Sequence, residues 1–421
     1  MKLFERLFKH ITLAFLLCFF APSTASSPNN EPTLQADSIE ISLLTCGPRQ
    51  QVYSLYGHTA IRFQDKQTGR DIAINYGVFS FDKPFFVLRF VFGLTDYEMG
   101  IAPFDIFEWE YDPTGCGVRQ QVLNLTAQEK MAIAQAVDRN MEPQNRVYRY
   151  NFFYDNCTTR ARDIIADNLN GRIVYDTSTP QHHNAPAQYP TFRNLIHNYN
   201  ETHRWARFGN DLLLGVKADY YTTFEQQQFL PERLCADFER AHIISADGTK
   251  RNLVSSSFWL FEPTTKQQNI QQTNMSIQDV FSPLVTFSIL SILTLIIAIV
   301  EYRRKRIIWV FDTSIMLTTG ACGLLLFAMI FSQHPTVSLN LQILLLNPIN
   351  IFMLYSVTKA ARQNRIHWWT KAWSALILLL LAGSFLQSYA EGITIVALSL
   401  LLRNISNIYT FKNTGSKQPE A

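Results

Sequence analysis

The first two thirds of the chain contain short stretches in which apolar and polar residues alternate, separated by turn residues. Three such stretches, 39–44, 60–63 and 72–76, predict adjacent antiparallel strands. Residues 126–140 have helical spacing behind a capping box of Thr126 and Glu129, and 205–234 return to helical spacing. The pattern predicts an α+β domain.

Beyond residue 280 the chain is mostly apolar. Five stretches are long enough to cross a membrane: 281–300, 313–331, 338–357, 372–389 and 392–410. Lys and Arg cluster in 303–306 and 359–371 and after the last stretch, whereas 332–337 and 390–391 contain neither. The positive-inside rule then places the α+β domain on the exported side of the membrane.

The N-terminus has the pattern of a signal peptide. Lys2, Arg6 and Lys9 precede an apolar run over 11–20, and small residues follow up to a cleavage site near Ala25. A stretch rich in Gln, Asn and Thr separates the exported domain from the first span. The predicted division is a signal peptide (1–25), an exported domain (26–262), a linker (263–280), a five-helix membrane domain (281–411) and a cytoplasmic tail (412–421).

The net charge limits the kinds of partner, and the cysteine content bears on disulfide formation. The net charge of +3 over 421 residues argues against a nucleic-acid partner. The exported domain has four cysteines, Cys46, Cys116, Cys157 and Cys235, in a compartment that tends to pair thiols. Cys46 and Cys116 each stand beside Gly in a turn-like context, so we predict that these two form a disulfide.

Cys157 lies where an extended segment gives way to a helix. Asp155 and Asn156 are both good N-caps, and Asn170-Gly171 closes the apolar helical spacing. The positive end of a helix stabilises a thiolate, so this position favours a nucleophile. The alternatives are a small buried residue or half of a disulfide.

His58 is the candidate base. It lies on a predicted strand, and Asn75 lies on the next strand. A Cys–His pair commonly uses a third polar group to fix the imidazole ring, and Asn75 is the preferred candidate, with Asp71 as the weaker one. The adjacent His182 and His183, with His197 and His203 near them, lack the spacing of metal ligands, so no metal site is predicted and a solvated loop is expected for these histidines.

Several polar residues fall within or beside the predicted spans. We expect Asp312 to be interfacial, and expect Gln342, Asn347, Asn350 and Arg403 to face other helices or a polar cavity. Helix-to-helix hydrogen bonds and a functional lipid-facing cavity both remain open. His334 and Asn340 fall at the exported ends of their spans, where we expect them to contact lipid headgroups or the exported domain, with local capping as the alternative.

Three segments resemble the periplasmic domain of the Lnb family of bacterial lipoprotein N-acyltransferases. They are Tyr56-Gly-His-Thr-Ala-Ile-Arg62, Asn75-Tyr-Gly77 and Asp155-Asn-Cys-Thr-Thr-Arg160; Leu212-Leu-Leu-Gly215, Phe229-Leu-Pro231, Ser332-Gln-His334-Pro335 and Leu346-Asn347-Pro348 also fit the family. The resemblance implies a permuted papain-like (NlpC/P60-like) domain and a location in the bacterial inner membrane.

The resemblance also implies an activity and its residues. Cys157 would be the nucleophile and His58 its base, with Asn75 as the third catalytic residue and Tyr56 and Arg160 in substrate or lipid binding. An acyl chain would pass from a phospholipid or lipoprotein glyceride to Cys157 and then to the N-terminal amine of a lipoprotein, without a cofactor. Backbone N–H groups at the start of the helix would help to form an oxyanion hole. The rivals are a peptidoglycan peptidase or amidase and a non-enzymatic binding protein.

Overall fold

The computed structural model describes residues 36–49, 51, 54–79, 84–85, 88–89, 92–176, 189–264 and 281–411. The predicted signal peptide, most of the predicted linker and residues 182 and 183 lie outside this described part. An α+β domain built on antiparallel sheets is followed by five apolar helices. The predicted α+β domain and all-α membrane domain are therefore confirmed.

Two antiparallel sheets form the framework of the first domain. The strands are β1 (Ile39–Cys46), β2 (His58–Asp65), β3 (Arg70–Val78), β4 (Asp96–Pro103), β5 (Val118–Leu123), β6 (Val147–Arg149), β7 (Arg172–Val174), β8 (His242–Ile244), β9 (Lys250–Asn252) and β10 (Val254–Phe261). The larger sheet has the order β10-β5-β1-β2-β3-β4-β6, and the smaller has the order β7-β8-β9. As predicted, β1, β2 and β3 are antiparallel neighbours.

Helices accompany the two sheets in the described part of the first domain. They are α1 (Phe104–Tyr111), α2 (Ala127–Met141), α3 (Pro143–Arg146), α4 (Cys157–Ala166), α5 (Phe192–His197), α6 (Arg204–Leu213), α7 (Phe224–Gln227) and α8 (Pro231–Arg240). The predicted capping box of Thr126 and Glu129 starts α2. Helix α4 ends before the predicted Asn170-Gly171, because the Asn168 side chain donates to the Ile164 carbonyl at 2.8 Å and caps the last turn.

Successive strand residues face opposite sides of the larger sheet, and both sides are buried. On one side, α2, α4 and α8 pack against a cluster that includes Ile61 and Ile74. On the other, α1 buries Phe104 and Phe107 against a cluster that includes Ala60. Helix α4 contacts both β2 and β3, so its first turn is held in place by the core beneath it.

The membrane domain contains helices α9 (Pro283–Arg304), α10 (Trp309–Ile330), α11 (Ile349–Arg362), α12 (Trp368–Ala382) and α13 (Ile393–Phe411). By length and composition, five helices of the described part are able to cross a bilayer, the third running over Leu341–Arg362. This third span begins with a 3-10 turn over Leu341–Leu344 and resumes as α11 after Pro348. The interruption is buried within protein, where Asn347 Oδ1 accepts from the Ile349 N–H at 3.0 Å.

The polar residues of the membrane domain face other helices. Gln342 and Asn350 are fully buried, and Asn347 and Arg403 are nearly so. Asn350 donates to the Thr319 hydroxyl and accepts from the Trp369 indole, both at 2.8 Å. The prediction that these polar residues face other helices or a polar cavity is confirmed. For Asn350, hydrogen bonds between helices satisfy the side chain.

The prediction that Asp312 is merely interfacial is wrong. Its carboxylate accepts from the Arg403 guanidinium at 2.7 and 3.0 Å, and the same guanidinium donates to Glu301 at 2.7 and 2.9 Å. Asn407 adds a further bond to Glu301 at 2.8 Å. A buried guanidinium needs carboxylate partners, so this cluster ties together α9, α10 and α13.

Helix α6 joins the two domains. Its partly buried Leu212 packs against the core of the membrane domain. Just after α6, the N–H groups of Gly215 and Val216 donate at 2.8 Å to the carbonyls of Thr336 and Leu339. Asn340 donates to the Leu212 carbonyl at 2.8 Å. Main-chain hydrogen bonds therefore fix the exported domain to the outer ends of the membrane helices.

Candidate active site

Cys157 is the first residue of α4. The Asn156 side chain caps the helix by accepting from the N–H groups of Thr158 and Thr159 at 2.9 and 3.0 Å. The Thr159 hydroxyl accepts from the Asn156 N–H at 2.9 Å and completes a capping box. The sulfur is thus placed at the positive end of a well-capped helix.

His58 is the first residue of β2, and Asn75 lies diagonally across from it on β3. His58 Nε2 is 3.0 Å from Asn75 Oδ1, and the imidazole lies close enough to the Cys157 thiol for each group to shift the pKa of the other. Because Asn75 occupies Nε2, Nδ1 is the ring nitrogen left for the sulfur. Asp71, the weaker candidate for this position, is instead bound to Arg62 at 2.6 and 2.9 Å.

A glycine allows this placement of His58. Gly57 has φ of +77°, and a Cβ atom there would lie 2.6 Å from the Cys46 carbonyl oxygen. Only glycine adopts this conformation and tolerates this approach without strain. The Gly-His pair of the sequence motif therefore has a physical reason, because Gly57 turns the chain into β2 immediately before the imidazole.

The charge of His58 changes the state of the thiol. Burial alone would raise the pKa of Cys157, but the nearby imidazolium and its hydrogen bond, helped by Thr59 and Thr158, lower this pKa to about 7. Burial would lower the pKa of His58, yet the thiolate and Asn75 raise it. The two residues therefore favour a thiolate–imidazolium pair near neutral pH.

The predicted disulfide is absent. Cys46, Cys116, Cys157, Cys235 and Cys322, the cysteines of the described residues, are all free thiols. Cys116 Sγ donates to the Gly47 carbonyl at 2.8 Å, and Cys46 is buried in the cluster that contains Tyr111. Neighbouring glycines indicate a turn but not the direction of a sulfur. Burial raises the pKa of Cys46, Cys116 and Cys235, so Cys157 differs from these thiols.

A cavity of about 300 Å³ lies in front of Cys157 and His58. Aromatic rings form one part of its wall: Phe79 lies 4.9 Å from Tyr97, and Tyr97 stacks on Tyr150 at 4.1 Å. Other lining residues are Ser54, Tyr56, Asn75, Val78, Phe152, Phe229, Leu230 and Pro231. The reactive pair thus faces a space of the size of a small ligand, with an aromatic wall on one part and polar residues on another.

Arg49 and Glu110 bring charge to the same cavity. The Arg49 guanidinium lies 3.9 Å from the centre of the Tyr111 ring and 3.4 Å from the Glu110 carboxylate. Neither residue was singled out from the sequence. Arg49 follows β1 and Glu110 lies near the end of α1, so only the folded sheet brings them beside His58, and no local motif signals the pair.

The two predicted binding residues of the exported domain, Tyr56 and Arg160, lie at different cavities. Tyr56 lines the Cys157 cavity, and its hydroxyl accepts from Asn210 at 2.8 Å and Asn200 at 3.3 Å. Arg160 does not line it. Its guanidinium forms two bonds to Asp155 at 2.6 and 2.7 Å and faces a separate cavity of about 480 Å³.

The two predicted binding residues of the membrane domain lie outside the Cys157 cavity. Asn340 is 6% exposed and is used in the joint to α6, and it also caps the 3-10 turn that follows it. It therefore contacts the exported domain, which was one of the two expectations. His334 is half-buried beside Gly93 of the exported domain. The structure thus brings together Cys157, His58, Asn75 and Tyr56, but not Arg160, His334 or Asn340.

Two further expectations are changed by the structure. The amides of Thr158 and Thr159 already bond to Asn156, so at the start of α4 the Cys157 N–H is the remaining donor for an oxyanion. His197 lies on α5, with Nε2 at 2.8 Å from the buried Asp211, and is not in a solvated loop. Within the described ranges no cluster of His, Cys, Asp or Glu is suited to a metal ion.

The fold and the site define a membrane-anchored exported domain with a cysteine–histidine pair at a cavity. A model of the Lnb N-terminal periplasmic domain matches residues 27–198, and a model of the Lnb transmembrane domain matches residues 274–414. The chain belongs to the Lnb family and is a membrane-anchored periplasmic enzyme of the Lnb type. No curated protein and no solved structure matches it.

The lowered pKa gives a prediction for thiol reactivity. Alkylation of Cys157 by iodoacetamide should rise through pH 7 and level off above it, because the pKa of about 7 sets where the thiolate forms. In His58→Ala the rise should move to higher pH, since burial then acts on the thiol without the opposing imidazolium. Mass spectrometry of the Cys157 peptide measures the rate, with the buried Cys235 as internal control. An unchanged profile in His58→Ala would contradict the ion pair.

Proposed function

We propose that this protein is a lipoprotein N-acyltransferase that carries a fatty acyl chain on Cys157. The observation that supports this most is the pairing of a thiol of lowered pKa with His58 at a cavity that has an aromatic wall, in a domain fixed to the membrane surface. A nucleophile in a domain held at the membrane surface is suited to a substrate that resides in the bilayer.

In the first half-reaction the Cys157 thiolate attacks an ester carbonyl of a phospholipid or of a lipoprotein glyceride. A thioester forms, and the lyso-lipid leaves as its oxygen takes the proton held by His58. Asn75 keeps the imidazole oriented through its bond at 3.0 Å. The Cys157 N–H, at the positive end of α4, donates to the developing oxyanion.

In the second half-reaction the α-amine of the N-terminal cysteine of a lipoprotein attacks the thioester. His58, now neutral, accepts the proton of the amine, an amide forms, and the thiolate is released. The charges of Arg49 and Glu110 suit a phosphate group and an ammonium group, respectively, and the aromatic wall suits an acyl chain. The residues described here complete this chemistry without a cofactor.

We further propose that the protein resides in the inner membrane of a bacterium. The one-sided distribution of Lys and Arg agrees with this, because the charged connections then face the cytoplasm and α6 faces the periplasm. Lipoproteins and phospholipid donors are both present at that membrane face.

The direct test is mass spectrometry of lipoprotein N-termini from cells with and without this protein. Cells that contain it should yield N-acylated lipoproteins, and cells that lack it or carry Cys157→Ala should yield lipoproteins with a free amine. N-terminal acylation that persists in both strains would exclude the proposal. A peptidase or amidase would instead change peptidoglycan fragments and leave the lipoprotein termini unaltered.

A further inference from the structure

A short segment between β3 and β4 lies against the membrane domain. Its described residues are 84–85, 88–89 and 92–94, which we call the Phe85 segment. The Gln333 N–H, three residues beyond the end of α10, donates to the Phe92 carbonyl at 2.9 Å. The segment therefore lies at the level where α10 leaves the bilayer.

The Phe85 segment exposes large apolar side chains at this level. Phe85 is 77% exposed and Leu88 is 54% exposed. The main chain makes two helical hydrogen bonds, from Arg89 N–H to the Phe85 carbonyl and from Phe92 N–H to the Leu88 carbonyl. Arg89, the only charged residue from 84 to 94, is paired with Asp96 at 2.8 Å. No charge of the segment is therefore left for a polar partner.

We propose that the Phe85 segment inserts into the outer leaflet and guides acyl chains from the bilayer to Cys157. Its exposed large side chains are apolar, and the segment is hydrogen-bonded to the chain just beyond α10, where Ile330 and Phe331 are also exposed apolar residues. A soluble protein partner would have to displace lipid at the same level. The occupant to which these observations point is the lipid itself.

The Cys157 cavity has an aromatic wall whose first residue, Phe79, lies six positions before Phe85 in the chain. Phe79, the residue after β3, precedes the segment in the chain and lines the Cys157 cavity. From Phe79 the wall continues through Tyr97 and Tyr150, whose rings are stacked. In this proposal an acyl chain leaves the bilayer beside Phe85 and meets this aromatic wall before it reaches the thiolate.

This inference rests on the proposed acyl transfer, so the experiment uses two acyl donors. Full-length protein is reconstituted into phosphatidylethanolamine and phosphatidylglycerol vesicles, and acylation of Cys157 is followed by mass spectrometry. In a second arm, the water-soluble ester p-nitrophenyl butyrate is the donor. Phe85→Asp and Leu88→Asp should each slow acylation from the vesicles roughly tenfold or more, because a charged residue no longer enters the interface. Acylation by the soluble ester should be unchanged.

Phe258→Asp is the matched control. Phe258 is similarly exposed, at 45%, but lies on β10 at the opposite edge of the sheet, so both rates should stay as in the wild type. Leu88→Phe should retain the vesicle rate. The inference is wrong if Phe85→Asp and Leu88→Asp acylate normally from vesicles, or if they lose both reactions equally, which would indicate damage to the site. If the wild type is acylated by neither donor, the proposed function itself fails and the inference fails with it.

Discussion

Replacing Cys157 by Ala is expected to abolish acyl transfer, and replacing His58 by Ala should slow thioester formation roughly 10²–10⁴-fold, the usual contribution of a positioned base. The structure supplies the reason: the charge and hydrogen bond of His58 outweigh the burial that would otherwise keep the thiol protonated. Asn75→Ala should have a smaller effect, because it frees the ring without removing the base.

The measurement is a covalent intermediate. Purified protein given phospholipid or diacylated lipoprotein, without an amine acceptor, should gain one hydroxylamine-sensitive acyl group on the Cys157 peptide. Cys235→Ala is the control, since this buried thiol does not line the cavity and its pKa is raised by burial. A hydrolase would release free acid instead. Full activity of Cys157→Ala would refute the mechanism.

Replacing Arg403 by Leu is expected to destabilise the membrane domain by about 3–5 kcal/mol, the usual cost of removing one partner from a buried charge cluster. Glu301 is fully buried and would lose two charge-assisted bonds, and Asp312 would lose two more. The loss should appear as a lower thermal unfolding midpoint of the full-length protein in nanodiscs.

Two controls make this result specific to the cluster. Arg304→Leu removes an exposed arginine at the end of α9 and should change the midpoint little. Combining Arg403→Leu with Glu301→Gln and Asp312→Asn should recover much of the lost stability, because no uncompensated charge then remains. An Arg403→Leu protein as stable as the wild type would show that the cluster does not hold α9, α10 and α13 together.

The parts of the site that could be predicted are those encoded locally. The cap and the apolar spacing place Cys157 at a helix start, and the two-residue period of strands places His58 and Asn75 on neighbouring strands. Arg49 and Glu110 were missed because they are 61 residues apart and meet only in the folded domain.

The incorrect predictions likewise concern contacts that form only in the folded chain. Asp312 has the position of an interfacial residue when its span is considered alone, because its partner Arg403 lies 91 residues away. The Cys46–Cys116 disulfide was predicted from neighbouring glycines, which do not determine where each sulfur points. Arg160 belongs to the cysteine motif, yet the helix turns its side chain toward Asp155 and away from the cavity.

The main-chain bonds from Gly215 and Val216 to the loop before the third span have a consequence for substrate choice. They hold the exported domain, and with it the Cys157 sulfur, at a fixed height above the bilayer midplane. In the acyl transfer proposed above, a glycerolipid must bring its ester bond to that height to react. Bilayer thickness and the depth of the ester group thus become selection criteria in their own right, separate from the shape of the cavity.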